Sequence, residues 1–159
     1  MINKELVELL IEKGLTIGFI ESFTGGKASS LISEIPGCSK TFLGSIVSYN
    51  VKVKENVVGV DPNIINKYSV VSKEVAEEMA IKGSKVLNSD VTVSFTGNAG
   101  PSSDIGDKEV GLCYITIKIF QEIETFELNI KKPRNELIID AISFAFEKLF
   151  KKIQIYRVK

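Results

Sequence analysis

The chain is organised around the stretch Thr16-Ile17-Gly18-Phe19-Ile20-Glu21-Ser22-Phe23-Thr24-Gly25-Gly26-Lys27. Its apolar start, Thr16–Ile20, predicts a buried strand, and the apolar-periodic run Ala28–Ile35 predicts a helix. The first N–H groups of such a helix lack intrahelical acceptors and carry partial positive charge. Because Gly25 and Gly26 have no side chain, an oxyanion or a phosphate could approach those N–H groups. A less specific interpretation stays open, in which Thr24 is only an N-cap and the glycines only permit the turn.

The composition is that of one soluble globular domain, residues 1–159, with 44% hydrophobic and 25% charged residues. Twenty basic and twenty acidic residues cancel to a net charge of zero. This balance argues against a nucleic-acid partner, because nucleic-acid-binding surfaces usually carry a basic excess. No apolar run approaches the ~20 residues of a membrane span, and the first residues lack the pattern of a secretory signal. These features predict a cytoplasmic protein without a membrane partner.

Histidine is absent from the chain, which excludes Ser-His-Asp and Cys-His nucleophile systems and histidine-based zinc sites. The two cysteines, Cys38 and Cys113, lie far apart and predict free thiols rather than a disulfide framework or a thiolate metal site. We therefore expect neither a metal nor another cofactor. Any covalent chemistry must take its base from lysine, tyrosine, a carboxylate or water.

Hydrophobic periodicity and turn residues predict helices that alternate with strands along the chain. The predicted helices are an N-terminal one closed by Gly14, then Thr24–Ile35, Val51–Val58, Asn63–Lys67 with Asp61 as its N-cap, one capped by Ser72, and one preceded by Pro133-Arg134-Asn135. For the segment that starts at Val51, the alternation of valine and lysine leaves a strand as an alternative. The predicted strands are Thr16–Ile20, Thr41–Tyr49, Asp90–Phe95, and an antiparallel hairpin of Val110–Phe120 with Ile123–Ile130. The tail Lys151–Lys159 is expected to add an edge strand or to dock on a neighbour. Together these elements predict a single α/β domain, a three-layer α/β/α fold with helices on both faces of a mixed sheet.

Two turns rich in glycine and hydroxyl residues follow predicted strands, at Ser22–Gly26 and Thr96–Gly100. Ligands of open α/β sheets bind beyond the carboxyl ends of the strands, so both turns would face one pocket if their strands are parallel neighbours. Neither turn has the residue spacing of a P-loop or of a dinucleotide-binding fingerprint. This excludes a Walker ATPase and a Rossmann dehydrogenase on motif grounds. The polar loop Thr96–Glu109 is long for a compact domain, which is typical of a functional or mobile segment.

Several motifs of the chain occur in the order and spacing of one known family. They are Glu21-Ser22-Phe23-Thr24-Gly25-Gly26, Ile35-Pro36-Gly37-Cys38-Ser39, Phe42-Leu43-Gly44, Tyr49 with Lys54 five residues on, Gly59-Val60, Val71-Ser72, Thr96-Gly97-Asn98-Ala99-Gly100-Pro101 and Val110-Gly111. Over about residues 1–150 the chain resembles the CinA C-terminal domain family. Members of that family are known as PncC-type nicotinamide-nucleotide amidases and as competence/damage-inducible proteins. An ordered set of motifs is far more specific than any single one.

The resemblance implies hydrolysis of the carboxamide of nicotinamide mononucleotide (NMN) to nicotinic acid mononucleotide and ammonia. It implies that Ser22 is the nucleophile, Lys54 the base and Tyr49 a further catalytic residue. In a chain without histidine, a serine–lysine pair is the obvious arrangement, provided that burial or a nearby cation lowers the pKa of the lysine. From the residues alone Lys52 is an equal candidate for the base, and only the resemblance selects Lys54.

The same resemblance implies substrate-binding residues in the two turns and at the start of the last helix. They are Thr24, Gly25, Gly26, Thr96, Gly97, Gly100 and Arg134. The N–H groups of Gly25 and Gly26 are the predicted oxyanion donors. Arg134 is the predicted phosphate ligand, because a planar guanidinium suits bidentate binding. A homo-oligomer is expected, with NMN as its small-molecule substrate.

The chain departs from the family pattern at several positions, and three of them bear on whether it is active. Phe23 stands where a cysteine is usual, Val51 where an asparagine is usual, and Ile138 where an arginine is often found. Two functions therefore stay open. One is an amidase that acts on NMN, and the other is a catalytically weak member that binds a nucleotide or a protein partner and serves regulation.

Overall fold

Five strands form one sheet in the computed structural model, which describes residues 2–102 and 108–157. They are β1 (Ile17–Glu21), β2 (Phe42–Val47), β3 (Val91–Gly97), β4 (Leu112–Ile119) and β5 (Glu122–Asn129). Their order across the sheet is β2-β1-β3-β4-β5. Strand β1 runs parallel to β2 and β3, whereas β4 is antiparallel to both of its neighbours. The predicted mixed sheet and its hairpin are therefore confirmed.

Helices cover both faces of this sheet and complete the predicted three-layer α/β/α fold. They are α1 (Ile2–Lys13), α2 (Lys27–Ser33), α3 (Val51–Val53, continued by a π-helical turn over Lys54–Val58), α4 (Pro62–Tyr68), α5 (Lys73–Leu87) and α6 (Arg134–Ile155). A short 3₁₀ helix also spans Cys38–Lys40. Helices α1, α2 and α6 pack on one face, and α4 and α5 lie on the other. In the described part of the chain, no helix is both long and apolar enough to span a bilayer.

Strand β1 lies between β2 and β3, and its alternating side chains enter both hydrophobic layers. Phe19 points into the larger core, where its ring centroid lies 5.8 Å from that of Phe146 on α6. Ile20 points into the smaller core under α5, where Gly83 lets the helix approach closely. A Cβ added at Gly83 would lie 2.3 Å from Ile20 Cδ1, so only glycine fits there. This two-sided packing holds the carboxyl end of β1, which leads into Ser22.

Two predicted helix starts are confirmed in detail. The side chain of Asp61 accepts a hydrogen bond from the N–H of Asn63, with Pro62 in the first turn of α4. The hydroxyl of Ser72 accepts from the N–H of Val75 at the start of α5. Both are local caps, which satisfy N–H groups that have no acceptor within the helix.

The start of α2 differs from the prediction. The helix begins at Lys27 rather than Thr24, and its N-cap position is occupied by Gly26. The N–H groups of Ala28 and Ser29 are not free, because both donate to the carboxylate of Glu21. The expectation of an open helix N-terminus was wrong for this reason, and so was the alternative in which Thr24 is the N-cap.

The tail also differs from the prediction of an edge strand. Helix α6 continues to Ile155, because the helical apolar stripe extends through the buried side chains of Leu149 and Ile153. Tyr156 follows the helix and stacks on Phe120, with ring centroids 5.9 Å apart. Val158 and Lys159, which the prediction also included, lie outside the described residues, as do positions 103–107 of the predicted polar loop.

Candidate active site

Ser22 directly follows β1 and is held by the neighbouring strand. Its N–H donates to the carbonyl of Phe95 on β3 at 3.1 Å, which extends the parallel pairing by one residue. Its side chain turns towards the π-helical turn that begins at Lys54. The amine Nζ of Lys54 donates to Ser22 Oγ at 2.8 Å. A hydroxyl and an amine from residues 32 positions apart are thus brought into direct contact.

Lys54 is 0% exposed, which is exceptional for a lysine. Besides Ser22, its amine donates to the carbonyl oxygens of Ser48 and Tyr49. None of these three acceptors carries a formal charge, so no ion pair among them offsets the loss of hydration. Burial lowers the pKa of Lys54 from 10.5 to about 8. The neutral amine needed in a general base is therefore accessible slightly above neutral pH.

Lys52, the other candidate base, lies in a different environment. It is exposed on α3, and its backbone N–H donates to the side chain of Asn50 at 2.8 Å. The structure places the amine of Lys54, and not that of Lys52, against Ser22. Lys54 is the first residue of the π-helical turn, and its side chain is buried inside the protein.

A cavity of about 410 Å³ opens beside Ser22. It is lined by Ser22, Phe23, Tyr49, Asn50, Val51, Val70, Gly97, Asn98, Ala99, Gly100, Ser102 and Arg134. The lining shows why the two turns meet. Since β1 and β3 are parallel neighbours, their carboxyl ends and the turns that follow them lie at the same edge of the sheet. Ser22 and the segment Gly97–Gly100 therefore face one space, as the sequence predicted.

Tyr49 and Arg134 meet on the exposed side of this cavity. Arg134 donates to the hydroxyl of Tyr49 at 2.9 Å and to the carbonyl of Gly100 at 2.7 Å. Tyr49 is 58% exposed, and its carbonyl, rather than its hydroxyl, meets the amine of Lys54. The guanidinium thus links the segment after β2 with the loop after β3.

The residues Thr24, Gly25 and Gly26 lie on the other side of the turn. They line a separate cavity of about 510 Å³ with Lys27, Ser30, Asn135, Ile138 and Ile139. The N–H of Gly25 donates to the carbonyl of Ser22 at 3.0 Å, and the hydroxyl of Thr24 donates to Glu21 at 2.9 Å. Neither group is directed at the Ser22 cavity.

The remaining predicted binding residues, Thr96, Gly97 and Gly100, also have structural roles that explain why these residue types occur there. The hydroxyl of Thr96 is turned away from the cavity and donates to the carbonyl of Val70 at 2.8 Å. At Gly97 an added Cβ would lie 2.4 Å from the Cβ of Cys113, and Gly100 has a φ of +76°. Glycine is therefore required by packing at one position and by backbone conformation at the other. Both still line the cavity with their backbone.

Two residues with a place at the site were not predicted to belong to it. Ser48 supplies a carbonyl to Lys54, and the fully buried carboxylate of Glu21 supports the turn that follows it. Nothing in the sequence indicates that a particular backbone carbonyl will accept from a lysine. The only available signal was a charged residue at the end of an otherwise apolar strand, because buried carboxylates require partners.

Side chains that could bind a metal ion do not cluster in the part of the chain that the structure describes. Across residues 2–102 and 108–157, no group of three or more cysteine, aspartate or glutamate side chains could hold a metal ion.

A larger hollow of about 890 Å³ lies at the opposite edge of the sheet, between the β4–β5 turn and the end of α6. Neither Ser22 nor Lys54 lines it.

Comparison with known proteins identifies relatives along nearly the whole chain. The family model described as the CinA C-terminal domain matches residues 1–153. A CinA-like protein of Flavobacterium psychrophilum is 42% identical over 148 residues, which cover 93% of this chain and 35% of that protein. A CinA-like protein of Fusobacterium nucleatum is 42% identical over 140 residues, which cover 88% of this chain and 34% of that protein. The chain therefore spans about a third of the length of these curated relatives.

Solved structures share the same fold. A crystal structure of a competence-damaged protein (CinA) superfamily protein from Klebsiella pneumoniae has a TM-score of 0.94 at 21% identity and covers 98% of this chain and 97% of that one. The competence/damage inducible protein CihA from Agrobacterium tumefaciens has a TM-score of 0.86 at 26% identity, covering 95% of each chain. At 21% identity, the similarity to the Klebsiella pneumoniae structure supports a shared fold and nothing further.

Proposed function

Because the chain belongs to the CinA C-terminal domain family, we propose that it is an amidase that hydrolyses the carboxamide of NMN. The observation that carries the proposal is the 2.8 Å contact between Lys54 Nζ and Ser22 Oγ at a buried position. A hydroxyl paired with an amine of lowered pKa has the parts needed for nucleophilic attack on an amide. Nicotinic acid mononucleotide and ammonia are the proposed products.

The proposed reaction uses Lys54 as the proton carrier in both half-reactions. Neutral Lys54 takes the hydroxyl proton while Ser22 Oγ attacks the amide carbon, which gives a tetrahedral oxyanion. The C–N bond then breaks, and the ammonium of Lys54 returns the proton to the departing nitrogen. Ammonia leaves, and an ester of Ser22 remains. Water then loses a proton to Lys54 and attacks the ester, and Ser22 regains that proton as the acid leaves.

The oxyanion requires hydrogen-bond donors close to the nucleophile. Among the described residues, the backbone N–H groups of Phe23 and Thr24 have no acceptor, and both follow Ser22 in the turn. We assign the oxyanion to the N–H of Phe23, because Phe23 lines the Ser22 cavity whereas Thr24 lines the neighbouring one. The N–H of Gly25, the sequence-based candidate, already donates to the carbonyl of Ser22.

The cavity suits a planar amide with an anionic extension. Phe23, Val51 and Val70 give it apolar walls beside the nucleophile, and Arg134 adds a cation on the exposed side. The present acceptors of Arg134 are a hydroxyl and a carbonyl. A phosphate would replace them, because a guanidinium bonds an anion more strongly than a neutral acceptor. Before that replacement, Tyr49 contacts both parts of the site, because its carbonyl accepts from Lys54 and its hydroxyl accepts from Arg134.

The alternative is a catalytically weak member that binds a nucleotide or a protein partner. Two of the three departures from the family pattern, Phe23 and Val51, line the cavity of Ser22 and so favour a changed ligand. The third, Ile138, lines the neighbouring cavity instead. Binding of NMN without release of ammonia would support this second function.

Ammonia release is the direct test. The purified protein is expected to release ammonia from NMN without added metal, and at the same rate in the presence of EDTA. The reason is that the proposed step needs only Ser22, Lys54 and water. Release of ammonia and formation of nicotinic acid mononucleotide are measured together by a coupled assay and chromatography. Absence of both products at high protein concentration would contradict the amidase proposal.

Arg134→Ala is expected to raise KM for NMN by about 10- to 100-fold with little change in kcat, since a charged hydrogen bond to phosphate is worth roughly 1.5–3 kcal/mol. The same variant should hydrolyse nicotinamide riboside, which lacks the phosphate, as well as the unaltered protein does. Lys132→Ala is the matched control, because this exposed cation nearby pairs with Asp140. Equal losses on both substrates would show that Arg134 has a structural role only.

A further inference from the structure

Glu21, the residue before the proposed nucleophile, takes no part in the chemistry described above. We infer that Glu21 is a positioning residue, whose carboxylate and backbone carbonyl together hold Ser22 and Lys54 in hydrogen-bonding distance. The inference rests on the proposed function only in taking Ser22 and Lys54 as the reactive pair.

The carboxylate of Glu21 is 0% exposed and accepts five hydrogen bonds. Oε1 accepts from the hydroxyl of Thr24 at 2.9 Å and from the N–H of Ala28 at 2.8 Å. Oε2 accepts from the N–H of Ser29 at 3.2 Å, from the Ser29 hydroxyl, and from the hydroxyl of Ser45 at 2.9 Å. A buried carboxylate is unfavourable unless its oxygens are satisfied, and here donors from the turn, from α2 and from β2 satisfy them. One side chain thus joins three segments around Ser22.

Other helices of the chain are capped more locally. Asn50, Asp61 and Ser72 each accept from an N–H two or three residues further along. Helix α2 has no side-chain cap from its own N-cap residue, and Glu21 reaches it from the strand, seven and eight residues before the N–H groups that it accepts from. A local cap would hold the helix but leave the turn before it free to shift. The long-range cap fixes both ends of the segment that contains Ser22.

The backbone of Glu21 acts on the other member of the pair. Its carbonyl accepts from the N–H of Ser48 at 2.7 Å and from the Ser48 hydroxyl at 3.2 Å. The carbonyl of Ser48 in turn accepts from the amine of Lys54. Through its two ends Glu21 therefore sets the positions of both reactive groups. A misplacement of about 1 Å between reacting groups can cost on the order of 10² in rate.

Glu21→Gln is the informative substitution, because it keeps the shape of the side chain. The hydroxyls of Ser29 and Ser45 can turn to accept from the new amide, but the N–H of Ser29 cannot, so this contact is lost. We expect kcat to fall by about 10- to 100-fold with KM within about twofold of the unaltered protein. The midpoint of the pH profile should stay in place, because the burial that lowers the pKa of Lys54 is unchanged.

Asp61→Ala is the matched control. It removes the cap of α4, so it tests the effect of a lost helix cap at a helix that contributes no residue to the Ser22 cavity. Its kcat should equal that of the unaltered protein at a temperature where circular dichroism shows all variants fully folded. If Glu21 had only a structural role, the kcat of Glu21→Gln would likewise equal that of the unaltered protein under these conditions.

A second readout does not depend on NMN. The rate of covalent labelling of Ser22 by a fluorophosphonate is measured in the same variants, with Ser22→Ala as the blank. Slower labelling in Glu21→Gln, but not in Asp61→Ala, supports the inference even if no ammonia is released from NMN. Absence of ammonia release together with labelling of Ser22 would remove only NMN as the proposed substrate. Unchanged labelling and kcat in Glu21→Gln overturn the inference and leave the amidase proposal standing.

The remaining outcomes of these measurements also test the positioning role of Glu21. A shifted pH midpoint at an unchanged maximal rate would mean that Glu21 acts by its charge, which overturns the positioning role. Absence of both labelling and ammonia release in the unaltered protein overturns the inference and the proposed function together. If Glu21→Gln does not fold, Ser45→Ala removes one donor of the carboxylate and is measured in the same way. A several-fold loss of kcat is then expected, and no loss overturns the inference.

Discussion

Ser22→Ala is expected to lower the turnover of NMN by at least about 10³-fold, because the variant lacks the hydroxyl proposed to attack the amide carbon. The fold should remain intact. Ser22 lies in a turn, and loss of its hydroxyl removes one acceptor of Lys54 while the carbonyl of Ser48 is retained. The measurement is the steady-state rate of ammonia release, with thermal unfolding recorded beside it.

The matched control for this substitution is Ser33→Ala. Ser33 is an exposed serine near the end of α2, and its hydroxyl donates only to the carbonyl of Ser30. Its removal should leave both turnover and unfolding temperature nearly unchanged. A Ser22→Ala variant that keeps more than a tenth of the activity would remove Ser22 from the role of nucleophile. The amidase would then require a different residue or a water molecule for the attack.

The second large effect concerns Lys54. Lys54→Arg and Lys54→Met should both lose turnover by several orders of magnitude, since neither side chain can accept the proton of Ser22 at neutral pH. In the unaltered protein, kcat/KM should rise with pH through a single ionisation near 8, the lowered pKa of this buried amine. The pH profile of ammonia release between pH 6 and 10 checks this prediction.

Lys52→Ala is the control for the base, because Lys52 is a cation two residues away that lies outside the Ser22 cavity. This variant should keep its activity and the position of its pH midpoint. If Lys52→Ala were inactive and Lys54→Arg active, the assignment of the base would be wrong. A pH profile that is flat between 7 and 9 would likewise contradict a lysine base whose pKa is about 8.

The same pKa has a consequence for stability. Burial lowers the pKa of Lys54 in the folded state below its unfolded value of 10.5, so the unfolded state binds more protons between about pH 8 and 10.5. The penalty for burying the ammonium is full below this window, on the order of 3 kcal/mol, and disappears as the pH rises through it. Between pH 8 and pH 10, the free energy of unfolding should therefore increase more in the unaltered protein than in Lys54→Met. Chemical denaturation at the two pH values measures this difference.

The order of secondary-structure elements could be predicted because it depends on local patterns. The β-forming residues in Thr41–Tyr49 and the two β-rich runs before Lys131 are properties of short segments, and the structure confirms strands in all of them. The local caps at Asp61 and Ser72 could be predicted for the same reason. The end of α6 was mispredicted because a short apolar tail is compatible with either a strand or one more helical turn, and packing in the core decided for the helix.

The sequence by itself determined the α/β class, the exclusion of histidine chemistry, and the family resemblance that points to Ser22 and Lys54. Only the tertiary structure decided which groups share a space. The parallel pairing of β1 with β3 brings Ser22 to the Gly97–Gly100 segment, and the fold places Lys54 rather than Lys52 against the hydroxyl of Ser22. Tertiary structure also places the carboxylate of Glu21 at the start of α2, where it accepts hydrogen bonds from two backbone N–H groups. The physical reason is that burial and hydrogen-bond partners depend on residues distant in the chain, which no local pattern encodes.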